Sequence, residues 1–332
     1  MVKPASSIPW SIVAKTHLAQ LGITLSREMV DPFYNSARFK LVMAGERAGK
    51  SFTGGTYAAA KYMYGAMNEP GVPQLIWLVG KDYEACKPEF DNMVEQLVRL
   101  DLVIPKDIFV RDGGRDKCSF STRDGSLYVE TVTGSDPQKI ARLAPNGILA
   151  CEVAQFTEEL FLRCVGRLAE KKGWMWASGS WEGSIGYVPT IWRRWQAEND
   201  DSGRSWAIPS WSNKLLYPDG EHDREIERMR NMFPPGRFSE RFGGVPVAPA
   251  GAVYAEDLTP DRITHEASYD PALPVQAWSD PGYSGAYAVL AVQLKDNFVD
   301  IIDEVYLRER TNEQTLDECA TRPWWPNVSY GV

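Results

Sequence analysis

"FKLVMAGERAGKSFTGG", residues 39–55, runs from an apolar stretch through two glycines into a lysine and a hydroxyl, then into a segment of helical composition. A strand that ends in such a turn and opens a helix is a phosphate-binding device. Its glycines let successive backbone N–H groups face one anion, and the helix start adds partial positive charge. Residues 44–51, AGERAGKS, follow the spacing G-x-x-x-x-G-K-[ST], with Ala44 at the first glycine position and Gly45 beside it. Gly49-Lys50-Ser51 is intact, RFKLVM precedes it as a strand, and SFTGGTYAAAKYMYGAM follows as a helix despite Gly54 and Gly55. The pattern predicts ATP held at Gly45, Ala48 and Gly49, with Lys50 on the β- and γ-phosphates and Ser51 as a ligand of Mg²⁺.

Composition sets the frame around this turn. At 332 residues the chain is about twice the usual domain size, and 44% apolar with 24% charged residues is ordinary for a folded protein. Five scattered cysteines without a CxxC pair, and only three histidines, encode neither a disulfide framework nor a zinc cluster, which fits a reducing cytoplasm. The start, MVKPASSIPWSIVAK, lacks the apolar core of a signal peptide, and no run approaches the ~20 apolar residues of a membrane span, so no membrane partner is expected. The net charge of −8 argues against coating of nucleic acid by the whole surface but leaves room for a local basic groove.

Beyond the first helix, QLIWLVG (74–80) reads as a buried parallel strand and EACKPEFDNMVEQLVRL (84–100) as its crossover helix, a βαβ arrangement. SLYVETVTG (126–134) and NGILACEVAQF (146–156) supply further strands, and the second ends in an acid. A lone strand-end glutamate is ordinarily a solvated surface acid. After a phosphate turn, on a parallel sheet whose strand ends face the ligand crevice, Glu152 reads as the carboxylate that activates the attacking water. Cys151 stands where many P-loop NTPases carry a Mg²⁺-associated aspartate, and a neutral thiol is a poor partner for that hard cation. Either Ser51 and water hold the metal, or another acid substitutes. GWMWASGSW (173–181) is a third buried strand, ending in Ser178-Gly179-Ser180, a triplet that helicase-like motors place beside the γ-phosphate; Ser178 is the expected nucleotide contact.

This order of elements resembles the large terminase subunit of tailed bacteriophages. The resemblance rests on AGERAGKS, DPQKIARLAPNGILACEVAQ, ASGS, RFSERFGGVPVAPAGAVY, AWSDPGYSGAYAVLAV and VDIIDEVYL, and covers most of the chain from about residue 38. It implies an α/β architecture: an ASCE-type P-loop ATPase with a parallel central sheet, a linker subdomain and an RNase H-like nuclease. It also implies double-stranded DNA, a portal protein and the small terminase subunit as partners, a homo-oligomeric ring during packaging, and a place in the host cytoplasm, transiently on the procapsid portal and not in the mature virion. Arg142 matches a position where some terminases carry an arginine that completes a neighbour's site, and Arg47 inside the turn is a second such candidate.

The expected domains are residues 1–205 for the ATPase, 206–270 for a proline-rich linker or lid, and 271–332 for the first part of the nuclease. Two-metal phosphodiester hydrolysis needs carboxylates converging from separate strands. Asp280 is the first choice, with Glu304 or Asp303 as the second, holding Mg²⁺ or Mn²⁺. The acid that completes such a site is expected shortly after Val332, in a further stretch of roughly 100–150 residues. Basic residues in 163–173 and 192–195 are candidates for touching DNA, although ordinary surface is the favoured reading of both. Two alternatives stay open at this point: a helicase-like remodeller without nuclease activity, and a nucleotide-binding structural protein with little turnover.

Overall fold

The computed structural model describes residues 7–135, 140, 143–184, 186–196, 203–247, 267–281, 286–295, 298–308 and 310–331, and divides into two compact units, 1–252 and 253–332. Unit one opens with α1 (Trp10–Leu21) and α2 (Arg27–Tyr34), then β1 (Phe39–Ala44), α3 (Lys50–Asn68), β2 (Gln74–Gly80) and α4 (Lys87–Arg99). An antiparallel pair, β3 (Ile108–Val110) and β4 (Cys118–Ser121), leads to β5 (Leu127–Thr133), β6 (Gly147–Cys151), α5 (Glu158–Arg167), β7 (Trp174–Gly179), α6 (Tyr187–Arg194) and β8 (Arg204–Ile208). Two short helices close the unit, α7 (Arg224–Met232) and α8 (Pro235–Phe238).

The eight strands form one sheet in the order β3-β4-β5-β2-β6-β7-β1-β8, parallel from β5 to β8. One strand, β7, is inserted between β1, which feeds the phosphate turn, and β6, which ends at Glu152. The central strands read as nearly unbroken apolar runs because helices cover both faces. Val42, Ile76, Leu78, Leu149, Cys151 and Trp176 face Tyr57, Ala58 and Phe90 of α3 and α4. Leu41, Trp77, Val79, Ile148, Ala150 and Met175 face Leu160, Phe161 and Val188 of α5 and α6. Side chains therefore alternate between two cores with the period of two that a strand imposes.

The sequence boundary at residue 205 falls inside β8, which hydrogen-bonds to β1 and belongs to the central sheet. The segment that follows, expected as a separate linker, packs onto the phosphate turn through residue 244. Gly45 N–H donates to Ile208 O (2.8 Å), Glu46 N–H to Arg241 O (2.7 Å), and Trp181 Nε1–H to Gly244 O (2.8 Å).

Unit two is a four-stranded sheet, β9 (Val275–Asp280), β10 (Ala286–Lys295), β11 (Phe298–Arg308) and β12 (Val328–Gly331), with α9 (Asn312–Ala320) before the last strand. The order is β11-β10-β9-β12, antiparallel except for β12 beside β9. Val275, Val289, Ala291 and Val305 meet Cys319 and Trp324 in a small core.

Candidate active site

Residues just beyond the carboxyl ends of β1, β7 and β6 touch one another, and the turn after β1 is built by the sequence features that predicted it. Gly49 takes φ 92°, a left-handed conformation that suits glycine. A Cβ on Gly45 would stand 2.3 Å from Phe242 O and 2.5 Å from Ser210 Oγ, so the glycine after Ala44 is fixed by the segment lying against it. Arg47 is exposed and also left-handed at φ 62°, its carbonyl accepting from Asn213 Nδ2 (2.7 Å). Gly49, Lys50 and Ser51 open α3, and the amides of a first helical turn have no acceptor within their own helix.

Lys50 Nζ lies 3.1 Å from Glu152 Oε1 and donates to Ser180 Oγ at 3.3 Å, while the Ser180 hydroxyl donates to Ala44 O at 2.9 Å. The phosphate-turn lysine is thus held between an acid and a hydroxyl from two other strand ends. Glu152 itself adopts φ 54°, ψ 54°, a conformation rare for a residue with a side chain, immediately after β6. Such strain clusters at functional sites, where the surrounding structure holds it. Ser178, the expected contact, sits inside β7 in register with Val42 and Cys151 and is buried. The hydroxyl that reaches Lys50 is that of Ser180, two residues further on.

Cys151 is fully buried in the core shared with α3 and α4. Its thiol is pushed well above its ordinary value by burial and by Cys86, Glu89 and Glu152 nearby. Glu89, in the first turn of α4, did not stand out in the sequence. It is 2% exposed, its Cγ would lie 3.6 Å from a Cβ on Gly54, and its carboxyl is pushed up to about 7, chiefly by burial, with the nearby Ser51 hydroxyl acting the other way. An acid in a first helical turn is normally explained by the helix dipole, so nothing local marks this one. Among the described residues no group of three or more His, Cys, Asp or Glu could hold a metal ion. Mg²⁺ bound with a nucleotide needs no such cage, since phosphates and water supply most of its ligands.

Arg142 lies outside the described residues. In unit two, Asp280 pairs in register with Ala288 and Ala288 with Tyr306, whereas Leu290 pairs with Glu304 and Ala291 with Asp303. Asp280 and Glu304 therefore share a sheet face, and both are exposed. Asp303 points to the opposite face, toward the core, where its carboxylate accepts from Trp324 Nε1 at 2.7 Å and lies 3.8 Å from Arg322 Nη1. The structure does not bring Asp303 to Asp280.

No protein-family model matches the chain, and no curated protein is similar to it in sequence. Solved structures do match in fold. The large terminase of a thermophilic bacteriophage superimposes with a TM-score of 0.53 at 13% identity, over 90% of this chain and 74% of that one. Another crystal form of the same terminase, in complex with ADP, gives 0.52 at 13% identity. The large terminase ATPase domain of Thermus phage P74-26 gives 0.51 at 14% identity, over 74% of this chain and 100% of that domain. The HK97 bacteriophage large terminase gives 0.51 at 9% identity, over 91% of this chain and 67% of that one. The chain has the fold of the phage large terminases.

Proposed function

We propose that this chain is an ATP-hydrolysing motor for packaging double-stranded viral DNA, with Glu152 as the base and Lys50 as the phosphate-binding cation. The observation that carries the proposal is the placement of Lys50 between Glu152 and Ser180, at three strand ends around a glycine turn. An incoming triphosphate competes for Lys50, which moves onto the β- and γ-phosphates. Glu152, released from its ion pair, accepts a proton from the water that attacks the γ-phosphorus as the bond to the bridging oxygen breaks, leaving ADP and phosphate. Ser180, anchored on Ala44, marks the γ-phosphate position. Ser51 would hold Mg²⁺, whose charge offsets that of the phosphate oxygens when it is bound.

Likeness in fold to packaging ATPases supports the motor assignment. With it come a homo-oligomeric ring, a portal protein and small terminase subunit as partners, and action in the host cytoplasm on the procapsid. Arg47, exposed in the turn, and Arg142 are the candidates to complete a neighbour's site. In unit two, Asp280 and Glu304 are the nuclease candidates. Two acids fall short of the carboxylates that two ions need. The motor reading is tested by ATP turnover with and without double-stranded DNA. Wild type is expected to hydrolyse ATP faster with DNA, and Lys50→Ala to lose turnover in both conditions. Turnover indifferent to DNA would favour a nucleotide-binding protein of another kind, and turnover surviving Lys50→Ala would place hydrolysis elsewhere.

A further inference from the structure

Cys151 puts a thiol on the metal side of this nucleotide site, where a carboxylate would serve a hard cation. The fold brings a different acid to that place. Gly55 of α3 lets α4 approach closely: a Cβ at Gly55 would lie 2.8 Å from Glu89 O and 2.9 Å from Asn92 Cβ. One residue earlier, a Cβ at Gly54 would lie 3.6 Å from Glu89 Cγ, which puts the Glu89 side chain against the start of α3, near Ser51, with Lys50, Glu152 and Cys151 near enough to act on it or feel its charge. Glu89 is 2% exposed, and its Oε2 is buried without a hydrogen-bond partner. The Trp176 indole N–H, which also lies against Gly54, is likewise buried and unpartnered. Buried polar atoms in native proteins are nearly all satisfied, so an unpartnered carboxyl oxygen calls for a ligand or another explanation. A carboxylate kept in an apolar wall with one oxygen unpaired, next to the hydroxyl that would ligate the nucleotide's cation, has an evident use.

We propose that Glu89 supplies the carboxylate of the nucleotide-associated divalent cation site, acting beside Ser51 and taking the place left by Cys151. The proposal rests on the nucleotide-site reading above. Its negative charge comes from α4, across the α3–α4 contact, and not from the end of β6. Its role is to position Ser51 and the cation's water shell, with Glu152 left free for the attacking water. Cys151 lies close to Glu89 from the neighbouring strand, so an aspartate at position 151 would reach the same place.

The test is binding, with no turnover required. The affinity of the protein–ADP complex for Mn²⁺ is measured by electron paramagnetic resonance, and ADP affinity is measured separately in EDTA. Wild type, Glu89→Gln, and Glu89→Gln combined with Cys151→Asp are compared, with thermal melts to show that each is folded. Glu89→Gln is expected to leave metal-free ADP binding unchanged and to weaken Mn²⁺ roughly 10- to 100-fold, the usual effect of losing a carboxylate that supports a metal ligand. Restoration of Mn²⁺ affinity by Cys151→Asp is the expected rescue. Equal Mn²⁺ affinity in wild type and Glu89→Gln would overturn the proposal while leaving the nucleotide site standing. Loss of ADP binding in EDTA by Glu89→Gln would also overturn it, because Glu89 would then be shaping the turn. Absence of ADP binding by wild type would instead remove the nucleotide reading itself.

Discussion

Glu152→Gln separates the two jobs that the Lys50–Glu152 pair combines. In the structure Lys50 Nζ and Glu152 Oε1 are 3.1 Å apart, with side chains 16% and 29% exposed. A pair of that kind contributes up to about 1 kcal/mol net, after desolvation and the entropy of holding both side chains. A triphosphate must break the pair in order to use Lys50. Replacing the carboxylate by an amide removes that competition, so nucleotide affinity should stay level or tighten by as much as about fivefold. The same change removes the group that takes the water proton, and loss of a positioned base typically slows the chemical step by about 10²- to 10⁴-fold. The assay pairs equilibrium titration of a fluorescent ATP analogue with single-turnover ADP formation. Turnover within a few-fold of wild type, or a clear loss of nucleotide affinity, would refute the assignment of Glu152.

Two further expectations concern other parts of the chain. Asp303→Ala should destabilise unit two by about 1–3 kcal/mol, because it leaves the Trp324 indole N–H buried without an acceptor, whereas Asp280→Ala, at an exposed position, should stay within about 0.5 kcal/mol; thermal melts of the two variants give the comparison. His17 is buried with Nε2 3.1 Å from Gln96 Oε1, and burial lowers its pKa from the ordinary 6.5, so the folded state resists protonation. Its stabilising contribution is therefore complete above the unfolded value and is lost as pH falls from there through the folded one. Urea midpoints should drop on acidification more in wild type than in His17→Phe, and identical slopes would count against it.

What the sequence made legible was local. The turn at 45–51, the helix after it and the end of β6 each depend on residues within a few positions, so Lys50 is legible from motif spacing and Glu152 from its place at a strand end. Register was not legible in the same way. Alternation along β11 dictates that Asp303 and Glu304 face opposite sides, but which of them joins Asp280 is set through β10, by pairing whose register shifts between Ala291 and Val292. The choice of Ser178 over Ser180 missed for a related reason. The decisive hydroxyl lies just past β7, where the chain passes the end of β1. The boundary after residue 205 cuts β8 because RSWAI is a short edge segment whose partner, β1, lies about 160 residues earlier in the chain. Glu89 was invisible because its meaning comes from the α3–α4 approach, which no window of sequence contains.

The central claim, that the crevice at the ends of β1, β6 and β7 binds and hydrolyses ATP, is tested most directly by a crystal structure with Mg²⁺ and a slowly hydrolysed ATP analogue. The account predicts the terminal phosphate against Lys50 and Ser180, the Lys50–Glu152 contact opened from 3.1 Å, and a water between Glu152 and the γ-phosphorus. A nucleotide bound elsewhere, or bound at the turn with Lys50 still paired to Glu152, would contradict it.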